Sequence, residues 1–99
     1  MKKAVIRICE RIDLMSLSKN DATQFFDRAN REYSLKDYAG AIKDYTEAIN
    51  RDDGEAGYYN NRGIAKDRLK DYTGAIKDYT EAINRDDGEG SYYNNRGNA

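Results

Sequence analysis

The chain has 99 residues, of which 35% are charged and 38% hydrophobic, and a formal net charge of −1. That balance gives no bulk electrostatic reason to expect nucleic acid as a partner. The sequence has no histidine and a single cysteine, Cys9, so it offers no imidazole base and no internal disulfide, and neither metal nor cofactor is expected.

Residues 1–20 carry Lys2, Lys3, Arg7, Arg11 and Lys19 against Glu10 and Asp13, whereas the remainder is net acidic. Val5, Ile8, Ile12 and Met15 follow a 3-4-3 spacing, with Cys9 and Leu14 beside them. That spacing predicts an N-terminal amphipathic helix over 1–20. Three roles fit it: a cap on the segment that follows, a self-association helix, or a segment that occupies a neighbour's groove. Arg7, Glu10 and Arg11 interrupt any signal-peptide apolar region, and no apolar run is long enough to span a bilayer. A cytoplasmic, reducing setting without a membrane role is the expectation. The stretch "SKND" at 18–21 ends the helix and can cap the next one.

From residue 22 the chain repeats itself. Segments 36–65 and 70–99 differ only at positions 39/73, 56/90, 57/91 and 64/98, an offset of 34 residues. A more diverged copy precedes them when Phe25 is set on Tyr59. The array over 21–99 therefore divides into 22–55, 56–89 and the opening of a third unit at 90–99.

Each unit reads as two helices. Tyr72, Ile76, Tyr79 and Ile83 form one apolar stripe, with Ala75 and Ala82 beside them. Asp71 can N-cap this helix. "NRDDGE" supplies a glycine stop and an aspartate able to cap the helix that follows. Segment 56–69 has a weaker stripe of Tyr59, Gly63 and Lys66, with Ala65 and Leu69 beside them, and the short "LKD" link predicts an antiparallel hairpin. A calcium loop in "NRDDGE" fails on register, because Ile49 and Arg51 would fall on the first and third ligand places.

A 34-residue helix–turn–helix unit resembles the tetratricopeptide repeat (TPR). In the second unit the residues that carry the likeness are Tyr59, Gly63, Leu69, Asp71–Tyr72, Ala75–Ile76, Tyr79 and Ala82–Ile83. It covers roughly residues 22–99. Three places depart from the family pattern: Arg62, Lys66, and Asp87, which replaces the usual closing proline. The resemblance implies an all-α fold, with antiparallel helical hairpins stacked as a right-handed solenoid and the helix at 1–20 added in front. Gly63 and Ala75 are expected where the two helices of a unit cross, and Ala82 where the next unit docks. Arg62 is expected to pair with Asp78, and Arg28 with Asp44, because each arginine and its aspartate occur together in each unit. Of each tyrosine pair, 58–59 and 92–93, one is expected in the core and one partly exposed.

The resemblance also implies a function. The first helices of the units would line a concave groove that holds a peptide or helical segment of a protein partner. The groove-facing residues would be Thr23, Phe26, Asn30 and Tyr33, then Gly57, Asn60, Ile64, Asp67 and Arg68, then Ser91, Asn94 and Asn98. Some family members clamp the terminal carboxylate of chaperone tails with basic residues and two asparagines. Asn30 and Asn61 match the asparagine places, but Phe26, Ser91 and Asn95 stand where the basic residues belong. No strong binding of such an acidic tail is expected. With no histidine and no glycine-rich phosphate loop, an enzyme is not expected. The reading is a protein–protein interaction scaffold. The alternative is self-assembly into a homo-oligomer through the N-terminal helix or the C-terminal end. The near-identity of the units fits a recent duplication or a consensus-like design, and the incomplete third unit at 90–99 fits either a capping helix or a fragment of a longer array.

Overall fold

The computed structural model describes residues 21–86, 88 and 90–98. The expected helix over 1–20, with Cys9, lies outside the described residues. Five helices follow in order: α1 over 21–34, α2 Tyr38–Arg51, α3 Ala56–Arg68, α4 Tyr72–Arg85 and α5 Gly90–Asn98. Among the described residues there is no strand, and no helix is long and apolar enough to cross a membrane. The pairs α1–α2 and α3–α4 are hairpins. α3 packs on both α2 and α4, and α5 continues the stack on α4. This is an all-α solenoid of helical hairpins.

The "LKD" links close by a specific backbone device. Asp71 N–H donates to Lys66 O and Lys70 N–H to Asp67 O, both at 2.9 Å. Lys70 between them takes a left-handed conformation with φ 66, and Lys36 does the same one period earlier with φ 64. This is the paired bonding by which a helix satisfies its last carbonyls, with lysine in the place glycine usually fills. Asp37 and Asp71 then cap α2 and α4, each carboxylate accepting the N–H three residues on, from Gly40 at 3.1 Å and Gly74 at 3.0 Å. The expected Asp71 cap is present.

"NRDDGE" works differently from the expectation. α2 and α4 end at Asp52 and Asp86 in extended backbone, and no glycine has positive φ among the described residues. The aspartates accept from Gly54 and Gly88 N–H at 3.2 Å, closing local turns. The cap residue of α3 is Glu55, and its side chain makes no capping bond.

The core is built from alanine and tyrosine. Ala22, Ala48, Ile49, Ala56, Tyr58, Tyr59 and Ala82 form one buried cluster, with Phe25, Phe26 and Tyr92 against it. Ala29, Ala41, Tyr45 and Ala65 form a second. The fully buried alanines let the helices approach closely. Gly63 does so most visibly: a Cβ there would lie 2.7 Å from the Tyr79 ring and 3.2 Å from the Ala75 carbonyl. The expected Gly63–Ala75 crossing is where the sequence places it.

Two expectations change. Tyr58 and Tyr59 are both buried, because the Tyr58 ring packs 4.8 Å from that of Phe26 in the preceding unit. Of the next pair, Tyr93 at the consensus position is the exposed one, at 44%. The apolar stripe of α4 is also rotated from the simple reading. Ala75, Tyr79, Ala82 and Ile83 are buried, whereas Tyr72 and Ile76 remain 47% and 40% exposed. The buried strip runs along the small residues, because those face the crossing with α3.

Candidate functional site

Charge pairs tie the two helices of each hairpin together. Asp78 is 2% exposed and accepts two bonds from Arg62, Nε to Oδ2 at 2.8 Å and Nη2 to Oδ1 at 2.7 Å. Lys66 Nζ adds a third cationic contact at 3.0 Å. Arg62 Nη1 also donates to Thr46 Oγ1 at 3.1 Å, so one guanidinium ties α2, α3 and α4 together. In the first unit Arg28 grips Asp44 in the same two-bond way, at 2.7 and 2.8 Å. Both expected pairs form. This two-bond geometry fixes orientation as well as charge. The positions of Arg62 and Lys66 depart from the family pattern in order to neutralise a buried aspartate.

The first unit differs at one place. Glu32 stands where Lys66 stands one period later. Its carboxylate lies over Gly40, in space that a side chain there would need, and its Oε1 is buried without a hydrogen-bond partner. Hydrogen bonding to Asp44, then burial, pushes the Glu32 carboxyl up to about 7. Arg28 holds Asp44 below the ordinary carboxylate range. With one carboxyl raised and the other lowered, Glu32 is the one that takes up a proton first as pH falls.

Beside this frame, Asn30, Tyr33, Tyr45, Asn61 and Ile64 line an open cavity of about 140 Å³. A chain of polar bonds crosses it. The Tyr45 hydroxyl donates to Asn30 Oδ1 at 2.5 Å, and Asn61 Nδ2 donates to the same oxygen at 3.3 Å. Asn60 Nδ2 reaches Asn61 Oδ1 at 3.4 Å, and Asn95 Nδ2 reaches Asn60 Oδ1 at 3.0 Å. Burial pushes the Tyr45 hydroxyl up to about 12, so it stays a donor at any working pH. The chain links α2, α1, α3 and α5.

Of the expected groove residues, Asn30, Tyr33 and Ile64 meet at this cavity. Arg68 joins its rim, Nε donating to the Tyr33 hydroxyl at 3.1 Å. Asn60 is 9% exposed and works as a link in the amide chain. Phe26 packs inward, its ring 5.8 Å from that of Tyr45 and 4.8 Å from that of Tyr58. Asp67 is half-buried, and Asn94 and Asn98 are exposed farther along the array. Asn61 and Tyr45 were not among the expected groove residues. Asn61 was legible only as a match to the clamp asparagines. Tyr45 reads as core by its period, and its hydroxyl reaches the groove only because Asn30 stands above it.

The comparisons agree with this architecture. A family model described as "Tetratricopeptide repeat" matches residues 56–88. A comparison with the curated proteins finds no match. Among solved structures, the second TPR of Spaghetti (RPAP3), bound to the HSP90 peptide SRMEEVD, is 31% identical with a TM-score of 0.81, the alignment covering 85% of this chain and 78% of that one. The chain belongs to the tetratricopeptide-repeat family. The Arabidopsis OM64 TPR domain is 30% identical, with a TM-score of 0.80 and coverage of 82% and 67%. The first TPR of Spaghetti (RPAP3), bound to the same HSP90 peptide, is 25% identical, with a TM-score of 0.79 and coverage of 81% of this chain. This TPR chain spans 64% of that domain's length.

Proposed function

We propose that this TPR array is a protein-interaction scaffold that holds an extended peptide segment of a partner in its concave groove. The observation that carries the reading is the cavity at Asn30, Tyr33, Asn61 and Ile64, crossed by the amide chain. Side-chain amides present donors and acceptors together, which suits the alternating groups of a peptide backbone. Tyr33 and Ile64 supply apolar contact for a side chain of that peptide. Similar domains take an HSP90 peptide, which supports a peptide as the ligand class. The groove's own chemistry favours a neutral segment over an acidic tail. Asn95 and Phe26 occupy places where a carboxylate clamp would need cations, and both are engaged within the protein.

The test is selection of heptapeptides from a displayed random library against the whole chain. Selected peptides should bind at least roughly tenfold more weakly to Asn61→Ala, the size expected when a buried ligand group loses its partner. Binders indifferent to both Asn30→Ala and Asn61→Ala would refute the groove.

A further inference from the structure

The turn between α2 and α3 gathers polar groups around one peptide bond, the bond that joins Asp53 to Gly54. Both residues are exposed. Arg85 of α4 donates from Nε to the Asp53 carbonyl oxygen. Its guanidinium is fixed there from two other sides, 4.2 Å from the centre of the Tyr59 ring and paired through Nη1 with Glu81. At the other end of the same peptide, the Gly54 N–H donates to Asp52 Oδ1 at 3.2 Å. Among the described residues the Asp53 carboxylate enters no ion pair, so it is free to turn. A Cβ at Gly54 would meet nothing nearer than Asp52 Oδ1 at 3.5 Å, so the Gly54 nitrogen is open to an approaching carbon.

This arrangement acidifies an amide beside an electrophile. A cation on the carbonyl oxygen favours the anionic form of the peptide, because the charge of that form develops on the oxygen. The Asp52 carboxylate already accepts the N–H whose proton must leave, the position of a general base. The Asp53 Cγ needs only a side-chain rotation to reach the Gly54 nitrogen and close a succinimide ring.

We propose that Asp53–Gly54 is a self-modification site, at which the main chain migrates from the α-carboxyl to the β-carboxyl of Asp53. The Gly54 nitrogen gives its proton to Asp52 and attacks Cγ of the protonated Asp53 side chain. The N–Cγ bond forms, the Cγ–O bond breaks, and the hydroxyl leaves as water with the proton that Asp52 returns. A water then adds to the α-carbonyl of the ring, the bond from that carbon to the Gly54 nitrogen breaks, and the α-carboxylate is released. The water lost in the first step is regained in the second, so mass and net charge are unchanged and no other reactant is needed. The released carboxylate carries the oxygen that Arg85 already holds, so a neutral acceptor becomes a charged one. The link between the two units is then one methylene longer, at the point where α3 begins its packing on α2.

The test is incubation of the whole chain in H₂¹⁸O near neutral pH for several weeks, because ring opening leaves one ¹⁸O atom in the product. Fragmentation of the tryptic peptide 52–62 should place the label at Asp53, and methyl transfer by an isoaspartyl methyltransferase should mark the β-linked form. Gly54→Ala is the reference. Its backbone needs no positive φ and the added Cβ has room, but its methyl group crowds the attacking nitrogen, so most of the label should be lost. Arg85→Gln and Asp52→Asn should each slow labelling by roughly threefold or more. A variant that only loosened the turn would label faster, so slowing reads the contacts themselves. In strong denaturant these two variants and the wild type should label alike. Absence of ¹⁸O at Asp53 would overturn the proposal, as would label without methyl acceptance. So would labelling that either variant leaves unchanged or raises, or differences that persist in denaturant.

Discussion

Lys66 Nζ stands 3.0 Å from Asp78 Oδ2, and one period earlier Glu32 takes that lysine's place against Asp44. The two hairpins thus share a scaffold and differ in the sign of one charge beside a buried aspartate. The Glu32 carboxyl titrates at about 7 in the folded chain against 4.5 for the free side chain. The folded state therefore binds more protons than the unfolded one between those values. Stability from this site is fully present below 4.5 and is lost as pH rises towards about 7. Asp44 acts in the opposite sense: its carboxyl is lowered, so its contribution is lost as pH falls through its folded value, below 3.8. Glu32→Gln should match the wild type in melting temperature near pH 4.5 and exceed it at pH 8. An equal difference at both pH values would contradict the assignment. Glu32→Lys should raise stability by roughly 1 kcal/mol at pH 8, by restoring the second unit's pairing.

The Arg62–Asp78 pair should be the costlier of the two to break. The Asp78 and Arg62 side chains are 3% and 17% exposed, whereas Arg28 is 54% exposed. Asp78→Ala leaves Arg62 and Lys66 facing each other without their acid and should cost about 3 kcal/mol in urea unfolding. The coupling of Arg28 with Asp44 in a double-mutant cycle should be smaller than that of Arg62 with Asp78.

Much of this was legible from the period alone. Because 34 residues separate near-identical segments, the sequence alone places Asp71, Gly63, Ala75 and the two Arg–Asp pairs on facing helices. Other features were not legible, for physical reasons. Lys66 reads as a departure from the family pattern, and only the burial of Asp78 explains it. Tyr58 lies off the helix stripe of its own unit and is buried by Phe26 of another. Tyr72 and Ile76 belong to the apolar stripe, yet they stay half exposed because Ala75 and Tyr79 take the crossing with α3 at Gly63. The cavity itself depends on a tyrosine hydroxyl from α2 reaching an amide on α1, and helix periodicity says nothing of where such an atom ends.

Gly63 and Gly97 occupy the same place in the period and should respond oppositely. Gly63→Ala must displace the Tyr79 ring and should cost about 1 kcal/mol, near the low end for overpacking. The first unit tolerates Ala29 at that place, which sets the low end. Gly97→Ala meets open space and should hold or raise stability by up to about 1 kcal/mol through helix propensity. Thermal melts of the two variants decide this.

Lys70 pays for its left-handed backbone, φ 66, because its Cβ crowds the following carbonyl. Lys70→Gly removes that strain and gives back part of the gain in unfolded-chain entropy. A net stabilisation of about 0.5 kcal/mol is expected, read from the urea midpoint.

The most direct test of the central claim is to map a library-selected peptide on the ¹⁵N-labelled chain by chemical-shift perturbation, with the acidic heptapeptide SRMEEVD run beside it. The selected peptide should perturb Asn30, Tyr33, Asn61 and Ile64 together, and those shifts should vanish in Asn61→Ala. SRMEEVD should bind more weakly than about 100 μM, since no cation stands at the clamp places to repay desolvation of its carboxylates. Shifts confined to the opposite face, or micromolar binding of SRMEEVD, would contradict the account.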